Sequence, residues 1–361
     1  MTNPGHEEPS LETLVVASLL RYGADTKGPR LFKDLRRAMP DGPPPVRQLS
    51  AALETRADRR VVAERRAEAH ARSALLRAEA CHAAPIVTGG TGYPARLAEI
   101  VDPPIVLWAV GRASLLSAPS VAIVGSRHAT PSGMATARRL ARDLLRAGIV
   151  VVSGLARGID AAAHEGALDE GGGTIAVLGC GVDVVYPRQH DRLTHQVRQQ
   201  GCLVSELPPG TLPLPRHFPL RNRIISGLSL AVVVVEAAER SGSLITARMA
   251  LEQGRDVLAV PGSVVSGCHR GCHALIKDGA GLVETAADVL AALGMDSRAP
   301  VPDVAVRGGV AGEMTPGAPI GLDDLAGRVG RSAPEVLAEL GLLEVEGVVA
   351  RVSGGLFVRL D

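Results

Sequence analysis

Residues 121–133 read VAIVGSRHATPSG: an unbroken apolar run, then Gly125-Ser126-Arg127, then a loop closed by Pro131 and Gly133 ahead of a helical pattern. A strand that enters a helix through a glycine turn aims backbone N–H groups and a helix dipole outward, which suits phosphate or another anion. A dinucleotide fingerprint requires Gly-x-Gly-x-x-Gly, and here Gly125 is followed by Ser126, Arg127, His128, Ala129 and Thr130, so the second and third glycines are missing. A nicotinamide or flavin site is disfavoured, and no cofactor is expected.

Outward from this stretch the same text recurs. SVAIVG, GIVVVS, GTIAVLG, GCLVSE, LAVVVVE and DVLAVPG are short apolar runs separated by amphipathic stretches over residues 86–295. That alternation predicts a parallel, doubly wound α/β sheet. Ligands of such sheets lie beyond the carboxyl ends of the strands, so the residues just after each run are the ones to read.

Residues 1–85 read as helical, with SLETLVVASLLRYG apolar at helical spacing, a Pro-rich break MPDGPPP, and the arginine-rich RADRRVVAERRAEAHARSALLRAEA. The arginines of that last stretch alternate with Asp58, Glu64, Glu68 and Glu79, which predicts a solvated helix with internal ion pairs rather than a DNA-reading one. Residues 296–315 are rich in proline and glycine and read as a linker. From 316 to 361, two short helices in IGLDDLAGRVGRSAPEVLAEL and two strands in GVVARVSGGLFVRL follow the order of a winged helix.

A net charge of +1 over 361 residues carries no global basic signature, so any nucleic-acid binding must come from a local patch. Lys27, Lys33 and Lys277 are the only lysines; the remaining positive charge is arginine, which suits bidentate phosphate contacts and equally reflects a GC-rich genome. The five cysteines, Cys81, Cys180, Cys202, Cys268 and Cys272, are scattered and odd in number, which reads as reduced thiols in a cytoplasm. The N-terminus is polar and acidic, unlike a signal peptide, and the longest apolar run, LSLAVVVVEAA, is too short for a bilayer.

The segments that follow the strands are small, glycine-rich and hydroxyl-bearing: Gly125-Ser126-Arg127, SGLARGID (153–160), GCGVDVVYP (179–187), SELPPG (205–210) and ERSGSLITA (239–247). Arg127, Arg157, Arg188, Arg221 and Arg223 are set among them, the last two in FPLRNRIISG. Such a rim can hold a sugar-phosphate backbone through N–H, hydroxyl and guanidinium donors. Taken singly, Gly154, Gly158 and Gly242 also suit plain turns, and Ser243 suits the N-cap of a helix ending at Gly254. Phe218, in a chain with three phenylalanines, either stacks on a base beside Arg221 and Arg223 or fills the core after His217.

Ser153, Asp160 and His164 invite comparison with a hydrolase triad, but no nucleophile elbow accompanies them, and an Asp160–His164 pair four apart on a helix is the expected structural bond. Glu206 and Glu236 end apolar strands, where ion pairing to nearby arginines is the simpler account. CHRGCH (268–273) offers Cys268, His269, Cys272 and His273, but adjacent Cys-His pairs crowd a tetrahedral ion, so a turn entering the helix HALIKDGA is expected instead of a metal site.

These residues resemble the bacterial DNA-processing protein A family, also called Smf. The resemblance rests on VAIVGSR, SGLARGIDAAAH, GTIAVLGCGVDVVYP, SELPPG, FPLRNRIISG, VVVVEAAERSGSLITARMALEQGRDVLAVPG and LIKDGA, in the family's order, over most of residues 90–285. It implies an extended Rossmann-like domain without a nucleotide cofactor, a helical, SAM-like N-terminal domain and a winged-helix-like tail. It further implies a cytoplasmic, non-enzymatic dimer that binds single-stranded DNA without sequence preference, protects incoming strands and loads RecA in natural transformation and recombination. Single-strand-binding protein is a further candidate partner. The implied DNA contacts are Gly125, Ser126, Arg127, Ser153, Gly154, Arg188, Phe218, Arg221, Asn222, Arg223, Ser241, Gly242, Ser243 and Thr246.

The chain departs from the family pattern at His269 and His273. It also has Gly23 and Gly28 without the Gly-x-Gly of a helix-hairpin-helix. In the tail Asp323, Asp324, Glu335, Glu339, Glu344, Glu346 and Asp361 outnumber Arg328, Arg331, Arg351 and Arg359, which points to a protein-contact or regulatory role rather than phosphate binding. The fold also resembles cytokinin-activating phosphoribohydrolases, whose motif Pro-Gly-Gly-x-Gly-Thr-x-x-Glu carries a catalytic glutamate. With Thr246 on the motif's threonine, Ser241 replaces the proline and Met249 the glutamate, so the acid that the enzyme reading needs is absent.

Overall fold

The computed structural model describes residues 57–295, 310–315, 317–345, 348–352 and 354–360. The expected N-terminal helices before residue 57, with Gly23 and Gly28, lie outside the described residues, as does the stretch 296–309.

All five residues of β3 (Ser120–Val124) are buried, as befits a strand covered on both faces, where no polar alternation survives. It leads into helix α3 (Pro131–Arg146), which starts where Thr130 accepts a bond from the Gly133 N–H and Pro131 occupies the first turn. Ala137, Leu140, Ala141 and Leu144 then face the sheet at helical spacing. The same unit repeats through β4 (Val150–Ser153), α4 (Ile159–Asp169), β5 (Thr174–Val177), α5 (Asp191–Gln200) and β6 (Cys202–Ser205). It continues through α6 (His217–Leu228), β7 (Ala231–Val234), α7 (Ser243–Glu252), β8 (Asp256–Ala259), α8 (Arg270–Lys277), β9 (Gly281–Leu282) and α9 (Ala286–Ala292).

With β1 (Ala84–Val87) and β2 (Val106–Gly111), separated by the short helix α2 (Ala95–Ala98), the strands assemble in the order β1-β2-β6-β5-β4-β3-β7-β8-β9. From β6 to β9 every pairing is parallel, as the alternating text predicts. Strands β1 and β2 add an antiparallel flank to β6. Successive residues serve opposite faces: Ala122 and Val124 pack with Ile224, Ile225 and Ala247, while Val121 and Ile123 pack with Leu140, Leu144 and Ile159. The arginine-rich helix α1 (Ala57–Ala80) buries Ala71, Ala74 and Ala78 beside Trp108, so it is seated on the sheet by a small-residue seam instead of being solvated all round.

The tail is a separate three-stranded antiparallel sheet, β10 (Pro319–Ile320), β12 (Leu356–Arg359), β11 (Val349–Val352), with helices α10 (Leu322–Val329) and α11 (Ala333–Val345). Its core includes Val310, Ala311 and Met314, from within the stretch read as a linker. No helix among the described residues is long and apolar enough to cross a membrane.

Candidate nucleic-acid interface

The strand order reverses at β3: β4, β5 and β6 lie to one side, β7, β8 and β9 to the other. The loops leaving β3 and β7 therefore part company at their carboxyl ends, where doubly wound sheets bind ligands. A crevice of about 590 Å³ opens there, within the range of small-ligand sites. Ten of the fourteen expected residues line it: Gly125, Ser126 and Arg127 from the β3 loop, Phe218, Arg221 and Asn222 from α6, and Ser241, Gly242, Ser243 and Thr246 from the start of α7. Gly154 borders an adjoining slot shared with Arg127, Phe218 and Arg221.

The Gly125 turn is occupied by the protein itself. A Cβ on Gly125 would lie 2.5 Å from Ile159 Cγ1 and 2.9 Å from the Glu236 carbonyl, so glycine is required there for packing. Ser126 N–H donates to the Glu236 carbonyl (2.7 Å), and Ser126 Oγ accepts from His128 N–H (3.1 Å). The Ser126 N–H of the expected cradle is thus engaged internally, and the turn presents the exposed Arg127 guanidinium, which forms no ion pair among the described residues.

The floor is built by Arg221, 7% exposed. Its Nη1 donates to the carbonyls of Gly154 and Val177, which join the ends of β4 and β5, and its Nη2 lies 3.9 Å from Asp160 Oδ2. Burial pushes the Asp160 carboxyl above the usual range, opposed by the Arg221 charge and the Ala156 N–H. Phe218 lies close to two cations, with Arg127 Cζ 5.6 Å and Arg221 Cζ 6.0 Å from its ring centroid, and Tyr186 tilts against it at 5.3 Å. The core alternative for Phe218 is thereby set aside: the ring is half-buried and lines the crevice.

Besides Gly154, three expected residues do not line it. Arg223 is turned away and 8% exposed; its Nη2 donates to both Glu206 oxygens (2.8 and 2.7 Å) and its Nε to the Asp102 carbonyl (3.0 Å), so its charge is neutralised inside the protein. Ser153 is fully buried and donates to the Ile123 carbonyl at 2.7 Å, a strand-to-strand bond that leaves no side chain for a ligand. Arg188 is exposed in a short 3-10 turn outside the crevice lining. Conversely, Arg240, Tyr186, Ala156 and Asp160 line it without being among the fourteen expected contacts, Asp160 being a candidate only for a triad and a structural pair. Arg240 directly precedes Ser241 in the loop after β7, and Tyr186 is one of three tyrosines, so position and scarcity both mark them.

The remaining sequence candidates resolve into structure. Glu206 pairs with Arg223 as expected, whereas Glu236 pairs with no arginine among the described residues; its carboxylate accepts from Thr130 N–H (3.0 Å) and Thr130 Oγ1 (2.6 Å), anchoring the start of α3. Ser243 is the first residue of α7, and Gly242 is its N-cap. At CHRGCH the helix begins at Arg270, the His269 ring packs under Gly262, and His273 Nε2 meets the Gly262 carbonyl at 3.0 Å. Burial pushes the thiols of Cys180 and Cys272 up to about 11 and that of Cys202 to about 12, which keeps them protonated.

His164 does not bond Asp160. Its Nδ1 meets Thr174 Oγ1 at 2.8 Å, and Thr174 in turn donates to the Val151 carbonyl, so Nδ1 carries the proton and Nε2 accepts from Leu155 N–H (3.3 Å). Burial lowers its pKa from 6.5 to about 3. Below pH 6.5 the unfolded chain takes up a proton that the folded chain refuses until about pH 3. Acidification therefore destabilises, by about 2 kcal/mol between pH 6.5 and pH 5. Urea melts across this window should show that loss, and His164→Gln should flatten it.

The chain matches DNA recombination-mediator protein A over residues 85–294 and the DprA winged helix domain over 295–355. It is 50% identical over 199 residues to DNA processing protein DprA of Streptococcus pneumoniae, covering 55% of this chain and 70% of that one. It is 42% identical over 288 residues to Protein Smf of Escherichia coli, covering 74% and 75%. The X-ray structure of the Streptococcus pneumoniae protein superposes with a TM-score of 0.67 at 38% identity, over 79% of this chain and 98% of that chain. DNA processing protein A from Helicobacter pylori, whose structure was solved for its single-stranded DNA binding mode, gives 0.53 at 30% identity over 58% and 95%. With an α/β sheet wound about one switch point, a winged-helix tail and these matches across both, the chain belongs to the DNA recombination-mediator protein A (DprA/Smf) family.

Proposed function

We propose that this chain binds single-stranded DNA in the strand-end crevice without sequence preference and, as a cytoplasmic dimer, protects the strand and delivers it to RecA in transformation and recombination. The observation that carries the DNA reading is Phe218, a half-buried ring at the crevice wall with the exposed Arg127 over it at 5.6 Å. A ring offers every base a stacking face, and a guanidinium beside it offers the phosphate a partner. Arg240, Arg157 and Arg188 are also exposed on strand-end loops and can extend the phosphate track. The Helicobacter pylori relative's single-stranded DNA binding supports the same reading. Family membership supports the role of RecA, the dimer and single-strand-binding protein as a further partner. The acidic tail fits protein contact, since the exposed face of α11 presents Glu335, Leu337, Leu342 and Glu344.

An enzymatic reading has less to draw on. Met249 stands where the phosphoribohydrolase motif has its glutamate, and the crevice carboxylate of Asp160 is engaged by Arg221 and the Ala156 N–H.

Fluorescence anisotropy with labelled oligo-dT over a salt series tests the DNA reading. Arg127→Ala with Arg240→Ala should weaken binding about tenfold or more and flatten the log–log salt slope by about 1.4, at 0.7 per phosphate. Phe218→Ala should weaken it by about 1–3 kcal/mol with the slope unchanged. A wild-type protein that binds no strand, or binds with a flat salt response, overturns the reading. RecA delivery is tested by the lag in RecA ATPase on DNA coated with single-strand-binding protein, which this protein should shorten.

A further inference from the structure

The donors of the crevice are graded by depth. Arg127 and Arg240 are exposed at the rim, whereas Ser243 (8% exposed), Arg221 (7%) and Thr246 (2%) lie at the bottom. The ten-residue helix α7 points its N-terminus into this space, and its N-cap, Gly242, supplies no side-chain bond to the first turn. Ser241 Oγ and Ser243 Oγ are 2.7 Å apart, so the two hydroxyls form one local cluster. Thr246 lines the crevice while its hydroxyl makes no hydrogen bond among the described residues. That hydroxyl stays open to the crevice, where it can donate to a ligand oxygen in place of water.

These observations bear on the kind of phosphate that fits. A diester in mid-strand carries a sugar on both sides and has two free oxygens, which suits the rim arginines. A monoester has three free oxygens, close to two negative charges at neutral pH, and only one sugar to accommodate. It alone can enter end-on and reach a helix N-terminus, two serine hydroxyls and the Thr246 hydroxyl together.

We propose that the bottom of the crevice is a phosphomonoester pocket that takes a nucleoside 5′-phosphate, either the phosphorylated end of a strand or a free nucleotide. The inference rests on the reading of the crevice as the nucleic-acid site, and the test separates the two. Full-length protein is titrated with two oligo-dT strands of equal length, one 5′-phosphorylated and one 5′-hydroxyl, and the bound 5′-hydroxyl strand is challenged with dTMP or thymidine. A 5′-phosphate preference of about tenfold supports a strand end, in keeping with charge-assisted bonds to several donors. Displacement by dTMP and not by thymidine, without an end preference, supports a free nucleotide. Equal binding of both strands with no displacement by dTMP overturns the pocket and leaves the DNA reading standing. Failure of both strands to bind overturns the DNA reading and the pocket with it. Thr246→Val keeps the side chain's shape and should bring the ratio of the two strand affinities toward one, and Ser243→Ala should lower it; a ratio unchanged in both variants overturns the assignment of these donors.

Discussion

Glu206→Ala is expected to lower the unfolding free energy by about 3–5 kcal/mol, the loss seen when one partner of a buried ion pair is removed. Glu206 is 3% exposed and gives both oxygens to Arg223, which is 8% exposed. Without it the guanidinium still meets Asp102, 3.4 Å away and partly exposed, and the carbonyls of Asp102 and Leu220, but loses its buried carboxylate. At about 2–4 °C per kcal/mol for a domain of this size, the midpoint should fall by about 6–20 °C in a thermal melt. Glu206→Leu combined with Arg223→Met should be less destabilising than Glu206→Ala, because no charge is then left buried alone. An unchanged midpoint in Glu206→Ala would mean that Asp102 and the carbonyls suffice.

Gly154→Ala should be about as severe, at about 3 kcal/mol or more, and should also abolish binding in the crevice. The new Cβ would lie 2.2 Å from Arg221 Nη2 and 2.3 Å from Cζ. The guanidinium must then leave the Gly154 and Val177 carbonyls, which orphans two acceptors and removes the cation beneath Phe218. A double-mutant cycle checks the cause: Arg221→Met should recover part of the stability lost in Gly154→Ala, since the atoms in conflict are gone. Purely additive losses would place the strain elsewhere.

The parallel sheet and its crevice were readable because the covered strands are apolar runs and most of the runs end in glycine or serine. The antiparallel flank was not. β1 has four residues and includes Pro85, and whether β2 pairs with β6 is decided by tertiary contact rather than by the text of either strand. Among the site residues, Arg221 and Arg223 were taken together although positions two apart on a helix diverge by about 200°, so the helical period already assigned them to different surroundings. The engagement of the Gly125 turn had no local signal. It depends on the Glu236 carbonyl, more than a hundred residues along the chain, which the topology brings beside β3.

Helix α6 carries Phe218, Arg221 and Asn222 on one side and Arg223 on the other, and both sides are tied down: Arg221 to β4 and β5, Arg223 to Glu206 just beyond β6 and to Asp102. The Phe218 ring, proposed above to stack on a base, is thus carried on a helix held by the same bonds that stabilise the sheet. Its ordering belongs to the folding reaction, and a ligand entering the crevice meets a surface already in place, with little conformational entropy left to lose on contact. Stability and recognition are in this way written on adjacent residues of one helical turn, so that drift in either is felt by the other.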